Sequence, residues 1–185
     1  MARSKADKAG ELDHFLASIE KRAFKMAVIA TRNRDDALDI VQDAMIKLVR
    51  NYADRTTDEW GALFHRILQS TILDWHRRRK VRNRWRIFLG GKDQSSEEEE
   101  DPLEKLAVSN LPRPDIQVQH NAAMQQLDQA VEKLPLRQQQ VFLLRQLAGL
   151  DVAQTATAMG ITQGSVKTHY SRAIQSLRES LEDHW

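Results

Sequence analysis

Residues 134–181 read LPLRQQQVFLLRQLAGLDVAQTATAMGITQGSVKTHYSRAIQSLRESL, and this stretch decides the fold of the C-terminal part of the chain. The pattern predicts a helix, a turn, a short helix, a tight turn and a longer basic helix. Asp151 is placed to cap the short helix, because its carboxylate can accept hydrogen bonds from the free N–H groups of the first turn. Gly160 follows that helix at the position where a left-handed residue lets the chain reverse. Thr162 is placed to cap the next helix, so the segment predicts a helix-turn-helix.

The last helix of this segment has two contrasting faces. Val166, Ile174, Leu177 and Leu181 recur at helical spacing and predict a buried stripe. We interpret the other face as one that reads duplex DNA, because it carries short polar and cationic side chains that fit a major groove: Ser165, Lys167, Thr168, Ser171 and Arg172. Two amphipathic helices joined by a glycine turn also occur in bundles that never bind nucleic acid. The spacing alone therefore leaves both interpretations open.

Length and composition exclude several classes of protein. The 185 residues can form one domain of ordinary size or two small ones. The absence of cysteine excludes disulfides and thiolate metal sites, and the six histidines are scattered, so neither a metal nor another cofactor is expected. No apolar run approaches the roughly 18 residues of a membrane span, and the N-terminus lacks the apolar segment of a secretory signal. We therefore expect a soluble, cytoplasmic protein.

The formal net charge of +2 conceals two opposite blocks of charge. Residues 76–86 read HRRRKVRNRWR, with seven cationic side chains and no acid. Residues 93–104 read DQSSEEEEDPLE, with no cation. Blocks of like charge repel internally and stay extended unless a partner neutralises them. A solvated helix end and a plain tether would have the same compositions, so the blocks by themselves do not identify a partner.

The predicted fold is all-α, with two small helical domains joined by a flexible acidic linker. Helix-forming residues dominate, and alternating β-branched segments are absent. Residues 10–86 are predicted to form the first domain from three helices, of which the second begins near Arg34 and the third around Trp60. Glycines, prolines and the acidic run at residues 87–118 disfavour a packed core, which predicts a linker there.

Residues 119–185 are predicted to form the second domain, which contains the helix-turn-helix. Its first helix carries four apolar side chains at helical spacing, which we expect to be buried: Met124, Leu127, Val131 and Leu134. Pro135 is expected either to end this helix or to start the next one, because proline lacks the N–H group that a helix interior requires.

The arrangement as a whole resembles a bacterial extracytoplasmic-function (ECF) sigma factor of RNA polymerase, in the sigma-70 superfamily. The most specific pieces are DDALDIVQDAMIKLVRNY at 35–52, ALFHRILQSTILDWHRRRK at 62–80, and the helix-turn-helix segment. The resemblance implies that the first domain is sigma region 2, which binds core RNA polymerase and recognises and opens the −10 promoter element. It implies that the second domain is sigma region 4, which reads the −35 element, and it allows an anti-sigma factor as a further partner.

The same resemblance assigns roles to individual side chains. A row on the second helix would dock on the clamp coiled coil of the largest polymerase subunit: Asp36, Asp39, Ile40, Gln42 and Asp43. The loop at 51–58 and the third helix would hold the opened −10 element by stacking, by pocketing a base and by neutralising phosphates: Asn51, Tyr52, Arg66, Ser70, Trp75, Arg77, Arg78, Arg79 and Lys80. Trp75 is equally consistent with a place in the core. The polar face of the last helix would read the −35 element.

Two other functions fit parts of the sequence. A free-standing helix-turn-helix regulator would use the C-terminal domain and dimerise through the N-terminal helices, but it has no need for both a carboxylate docking face and a basic helix at 35–80. A helical adaptor that binds only proteins is disfavoured by the unopposed basic block at 76–86. An enzyme is not expected, because no nucleophile, base and orienting group stand at a recognisable spacing.

Overall fold

A computed structural model describes residues 5–88 and 115–182, and all regular structure in these two ranges is helical. The first range forms a bundle of three helices: α1 (Lys5–Thr31), α2 (Arg34–Tyr52) and α3 (Thr57–Phe88). The second forms a bundle of four: α4 (Asp115–Glu132), α5 (Leu136–Gln146), α6 (Val152–Met159) and α7 (Gln163–Glu182). The prediction of an all-α fold is confirmed. No helix in the two ranges is long and apolar enough to cross a membrane.

The predicted linker at 87–118 lies outside the described residues except at its two ends. Those ends are helical, because α3 continues to Phe88 and α4 begins at Asp115. Residues 87–88 and 115–118 of the predicted linker are therefore helical, and the linker bounds themselves stay a prediction.

Local capping determines where the helices of the first bundle begin. Asn33 is extended and its side chain accepts a hydrogen bond from the N–H of Asp36 at 2.9 Å, which starts α2 as an N-cap does. The start of α3 lies three residues before the predicted Trp60, because the Glu59 carboxylate accepts hydrogen bonds from the N–H and hydroxyl groups of Thr56 at 3.1 and 3.0 Å. The loop between α2 and α3 is consequently residues 53–56, shorter than the predicted 51–58.

Two aromatic side chains of α3 fill the centre of the first bundle. Trp60 and Phe64 are fully buried, and the Trp60 ring N–H donates to the carbonyl of Tyr52 at 3.0 Å. Phe15 of α1 packs on Trp60 with 5.9 Å between ring centroids. These contacts place Trp60 and Phe64 in the core, away from the surface that could stack on DNA bases. Truncation of such a buried aromatic residue to alanine costs about 3–5 kcal/mol, so Trp60 and Phe64 each contribute substantially to the stability of this bundle.

The core of the second bundle forms where α4 and α5 meet α7. Val131 and Leu134 are buried as predicted, and Leu127 is half-buried. The prediction for Met124 was wrong, since its side chain is 41% exposed. From Met124 to Val131, exposure of the apolar side chains on this stripe therefore decreases along α4.

The two bundles touch each other through a few polar contacts and helix packing. Helix α6 packs against α3, and α4 and α5 contact α1. Lys25 pairs with Asp128 at 3.1 Å, and the Arg32 guanidinium donates to the Glu132 carbonyl at 2.7 Å. Arg32 has a left-handed backbone (φ 53°), which costs roughly 1–2 kcal/mol in a residue with a side chain. Its guanidinium lies at the C-terminal end of α4, where helix carbonyls lack intrahelical partners.

A buried histidine makes the stability of the first bundle depend on pH. His65 is 7% exposed, and burial, with a smaller contribution from the positive charge of Arg22, lowers its pKa from 6.5 to about 4. The unfolded chain therefore binds this proton more tightly than the folded chain does. The stability conferred by neutral His65 is complete above pH 6.5 and decreases as the pH falls toward 4, by about 3 kcal/mol in total.

We expect the urea midpoint of unfolding to fall steeply between pH 6.5 and 4, and the His65→Leu variant to lose most of that dependence. The measurement is urea unfolding followed by circular dichroism at half-unit pH steps. The control is His14→Leu, because His14 is exposed on α1 and should leave the slope unchanged. A slope in His65→Leu as steep as that of the unmodified protein would contradict this account.

Candidate nucleic-acid and partner interfaces

The helix-turn-helix forms as its local chemistry predicts. Asp151 accepts a hydrogen bond from the N–H of Gln154 at 2.7 Å, and the Gln154 side chain accepts one from the N–H of Asp151 at 2.9 Å, which completes a capping box at the start of α6. Gly160 adopts the left-handed conformation with φ 63° at the end of α6. Thr162 accepts from the N–H of Ser165 at 3.1 Å and starts α7. The predictions for Asp151, Gly160 and Thr162 are confirmed.

Helix α7 presents its polar face to solvent. Val166, Ala173 and Leu177 are buried against the bundle. Four of the five predicted DNA-reading side chains are exposed on the opposite face: Lys167, Thr168, Ser171 and Arg172. Ser165 differs, because it is half-buried and its hydroxyl lies 2.9 Å from that of Thr162 in the cap. In the described part of the chain neither Lys167 nor Arg172 forms an ion pair, so both charges remain available to a polyanion.

A tyrosine anchors α7 in its orientation. The Tyr170 hydroxyl accepts a hydrogen bond from the Gln146 side chain, and the Arg145 guanidinium lies 5.9 Å from the centroid of the Tyr170 ring. Both partners belong to α5. Because Tyr170 lies between Thr168 and Arg172 in sequence but points to the bundle, it fixes which face of α7 is turned outward.

The predicted docking residues of α2 come together along an open groove between α2 and α3. This groove has a volume of about 760 Å³. Its α2 wall contains all five predicted docking residues and one more: Asp36, Asp39, Ile40, Gln42, Asp43 and Ile46. Its α3 wall contains Thr71, Trp75, Arg77, Arg78, Val81 and Arg82. The structure thus places the carboxylate row beside the basic block rather than on a separate surface.

One member of the docking row has a different environment from the one that the sequence suggested. Ile40 is only 4% exposed, so it belongs to the floor of the groove and to the core beneath it. The exposed apolar side chains of α2 are Leu38, Ile46 and Val49, each more than 40% exposed. These three residues can exclude water around a partner that contacts the carboxylates. The sequence alone did not separate these exposed residues from the buried apolar residues of α2, because both kinds occur within one turn of the helix.

The residues predicted to hold the −10 element do not form a single pocket. Asn51, Arg66, Ser70 and Lys80 are exposed, and the segment of α3 from Thr57 to Lys80 rises by about 35 Å. Arg66, Ser70 and Lys80 therefore form a track along α3, whereas Asn51 belongs to the C-terminal end of α2. A track of exposed cations and hydroxyl groups suits the backbone of an extended strand better than it suits a compact ligand.

Other members of this predicted set are engaged within the protein. Tyr52 is half-buried against the core. Trp75 is half-buried in the groove wall, and the Arg79 guanidinium lies 5.2 Å from the centroid of its indole ring. Arg79 also donates to the Thr31 carbonyl at 3.5 Å, whereas Arg77 pairs with Asp74 at 3.4 Å. Throughout residues 5–88 and 115–182 there is no cluster of three or more His, Asp or Glu side chains that could hold a metal ion.

Comparison with known proteins matches the two bundles to two regions of the same kind of protein, Sigma-70. The Sigma-70 region 2 family matches residues 13–82, and the Sigma-70 region 4 family matches residues 124–177. The RNA polymerase sigma-E factor of Streptomyces coelicolor is 31% identical over 150 residues, which cover 79% of this chain and 72% of the relative. The ECF RNA polymerase sigma factor SigE of Mycolicibacterium smegmatis is 27% identical over 176 residues, which cover 93% of this chain and 62% of the relative.

A solved structure shows the same fold. The sigma factor RpoE from Bartonella quintana, crystallised in complex with the anti-sigma factor NepR, superposes with a TM-score of 0.64. The superposition covers 95% of this chain and 97% of that chain, at 23% sequence identity. This likeness extends over both bundles. From the two matched regions and the relative in Streptomyces, the chain belongs to the extracytoplasmic-function family of RNA polymerase sigma factors.

Proposed function

We propose that this protein is a transcription initiation factor that binds core RNA polymerase and directs it to promoters with specific −35 and −10 elements. The observation that carries the proposal is the presence of two dissimilar surfaces in one chain. One is a groove with a carboxylate wall, which suits a protein partner, and the other is the exposed cationic face of α7, which suits duplex DNA. The protein supplies promoter choice and strand opening in the cytoplasm, and catalysis belongs to the polymerase.

In this proposal each of the two bundles has its own role. Residues 10–86 act as region 2 and residues 119–185 as region 4, and the tether at 87–118 lets the two engage elements that lie apart on the promoter. The matched regions at 13–82 and 124–177 fall within these limits, which supports the assignment. The acidic run in the tether would fit a positively charged channel of the polymerase.

Region 4 reads the −35 element through α7. Arg172 can donate two parallel hydrogen bonds to a guanine, and Lys167 can donate to the same acceptors or to a phosphate. Thr168 and Ser171 can contact base edges or the backbone from the same face. Region 2 holds the single-stranded −10 element along the track on α3, where exposed cations such as Arg66 and Lys80 neutralise phosphates.

The second candidate is a free-standing helix-turn-helix regulator. It would account for α7 but not for the α2 carboxylates, which would repel DNA and which an isolated regulator does not need. An anti-sigma partner is compatible with either candidate, since the Bartonella sigma factor was crystallised with one. A pull-down from native cells tests that partner, and recovery of polymerase alone would argue against it.

The experiment that tests the proposed function is run-off transcription with purified core polymerase over a pool of genomic promoter fragments. We expect transcripts that appear only when the protein is added, and their aligned upstream sequences should reveal two shared elements. If no transcript appears while the protein alone still retards some of the fragments in a gel, the regulator replaces the initiation factor.

A further inference from the structure

The groove between α2 and α3 has a second wall to which the sequence assigned no role in polymerase docking. Four of its α3 residues recur at spacings of four, three and four along one face of the helix: Thr71, Trp75, Arg78 and Arg82. Val81 stands beside them and is 53% exposed. This stripe faces the α2 row across the groove. The α2 wall carries aspartates and the α3 wall carries arginines, so one wall is acidic and the other is basic.

A hydrogen bond sets the register of the two walls. Lys47 of α2 donates to the Thr71 hydroxyl of α3 at 3.4 Å. The loop at 53–56 joins the two helices, which therefore run antiparallel. Asp36 lies eleven residues before Lys47 (47 − 36), and Arg82 lies eleven residues after Thr71 (82 − 71). Both helices rise by about 1.5 Å per residue, so Asp36 and Arg82 each lie about 16 Å along their helix from the hydrogen bond. Asp36 therefore lies across the groove from Arg82.

The walls are opposite in charge but do not neutralise each other. Among the residues that the structure describes, no ion pair spans the groove from the α2 acids to Arg78 or Arg82. Their charged groups are separated by the open space of the groove. Both walls therefore keep their charge for a bound segment.

The charge pattern selects the kind of segment that fits. A nucleic-acid backbone would approach Asp36, Asp39 and Asp43 with like charge, which disfavours it. A purely basic segment would meet the same repulsion at Arg78 and Arg82. A segment with cations on one side and carboxylates on the other satisfies both walls. Apolar side chains between them would meet Ile46 and Val81 at the rims and Trp75 in the wall.

We propose that Arg78, Val81 and Arg82 form the second half of the polymerase docking site, and that the docked segment is an amphipathic helix of the polymerase with mixed charge. This inference rests on the proposed function and extends it, because it moves Arg78 from promoter binding to partner binding. Carboxylates of the polymerase helix pair with the arginines of α3, while its cations pair with the aspartates of α2. Specificity for the partner then comes from the order of the charges across the groove.

The test compares Arg82→Glu with Arg84→Glu in the full-length chain. Both arginines are exposed on α3, but Arg84 does not line the groove. The affinity for purified core polymerase is measured by fluorescence anisotropy at two salt concentrations, with circular dichroism to check folding. We expect Arg82→Glu to weaken binding about tenfold at low salt and less at high salt. Arg82→Gln should have a smaller effect in the same direction, and Arg84→Glu should change the affinity less than about twofold.

Two outcomes would overturn the inference. One is an equal loss of core affinity for Arg84→Glu, and the other is an unchanged core affinity for Arg82→Glu. If the unchanged affinity is accompanied by loss of binding to a single-stranded −10 oligonucleotide at saturating core polymerase, Arg82 is assigned to DNA. Asp39→Lys combined with Asp43→Lys in the same assay separates the two walls. If that variant binds core polymerase normally, the docking face lies outside the groove, and if only Arg82→Glu binds normally, the second wall alone fails. The proposed function itself fails only if the unmodified protein neither binds core polymerase nor directs run-off transcription.

Discussion

Replacement of both Asp39 and Asp43 by lysine is expected to abolish co-purification with core polymerase. The two carboxylates are exposed, stand one helical turn apart on α2 and line the docking groove. The change reverses the charge of the acidic wall, so cations of the partner helix would be repelled where they are now attracted. Like-charge contacts in an interface cost several kcal/mol, which corresponds to a loss of affinity of more than about a hundredfold.

The variant should remain folded, because neither aspartate caps α2 or reaches its core. The measurement is an affinity pull-down with tagged core polymerase, supported by anisotropy and by circular dichroism. The matched control reverses two exposed acids of α1, Asp13→Lys with Glu20→Lys, which lie outside the groove. Co-purification that survives the α2 reversal would show that the docking face lies elsewhere.

Replacement of Arg172 by alanine is expected to reduce promoter-specific transcription by about tenfold to a hundredfold, since a bidentate contact to a base contributes about 1–3 kcal/mol of discrimination. Arg172 is exposed on the outward face of α7, which Tyr170 holds in place through α5. Truncation there removes a DNA contact without disturbing the buried stripe. The affinity for core polymerase should not change, because the residue lies in the other bundle from the docking groove.

The measurement is run-off transcription from a responsive promoter, beside the core affinity of the same variant. Arg178→Ala serves as the control, because Arg178 is exposed on the same helix but six residues further on, away from the reading face. An equal loss of transcription in Arg178→Ala would indicate a general effect of charge. Loss of core binding by Arg172→Ala would contradict the division of roles between the two bundles.

Local chemistry explains why the second bundle could be predicted closely from the sequence. The capping box at Asp151, the left-handed turn at Gly160 and the cap at Thr162 each depend on residues within four positions of one another. Backbone conformation at such sites is decided by neighbouring side chains, so the sequence carries the information directly. Where a partner element decides burial, prediction was weaker. Met124 has the spacing of a core residue, but its side chain is 41% exposed.

The sequence by itself determined the helical class, the helix-turn-helix with its outward face on α7, and the existence of an acidic row and a basic block. Only the tertiary structure decided that these last two features line one groove, that Ile40 is its floor, and that Val81 and Arg82 belong to its wall. The physical reason is that the side chains which meet across two packed helices depend on their register and rotation. Those are fixed by burial of Trp60 and Phe64 and by contacts such as the Lys47–Thr71 hydrogen bond, between residues far apart in the chain.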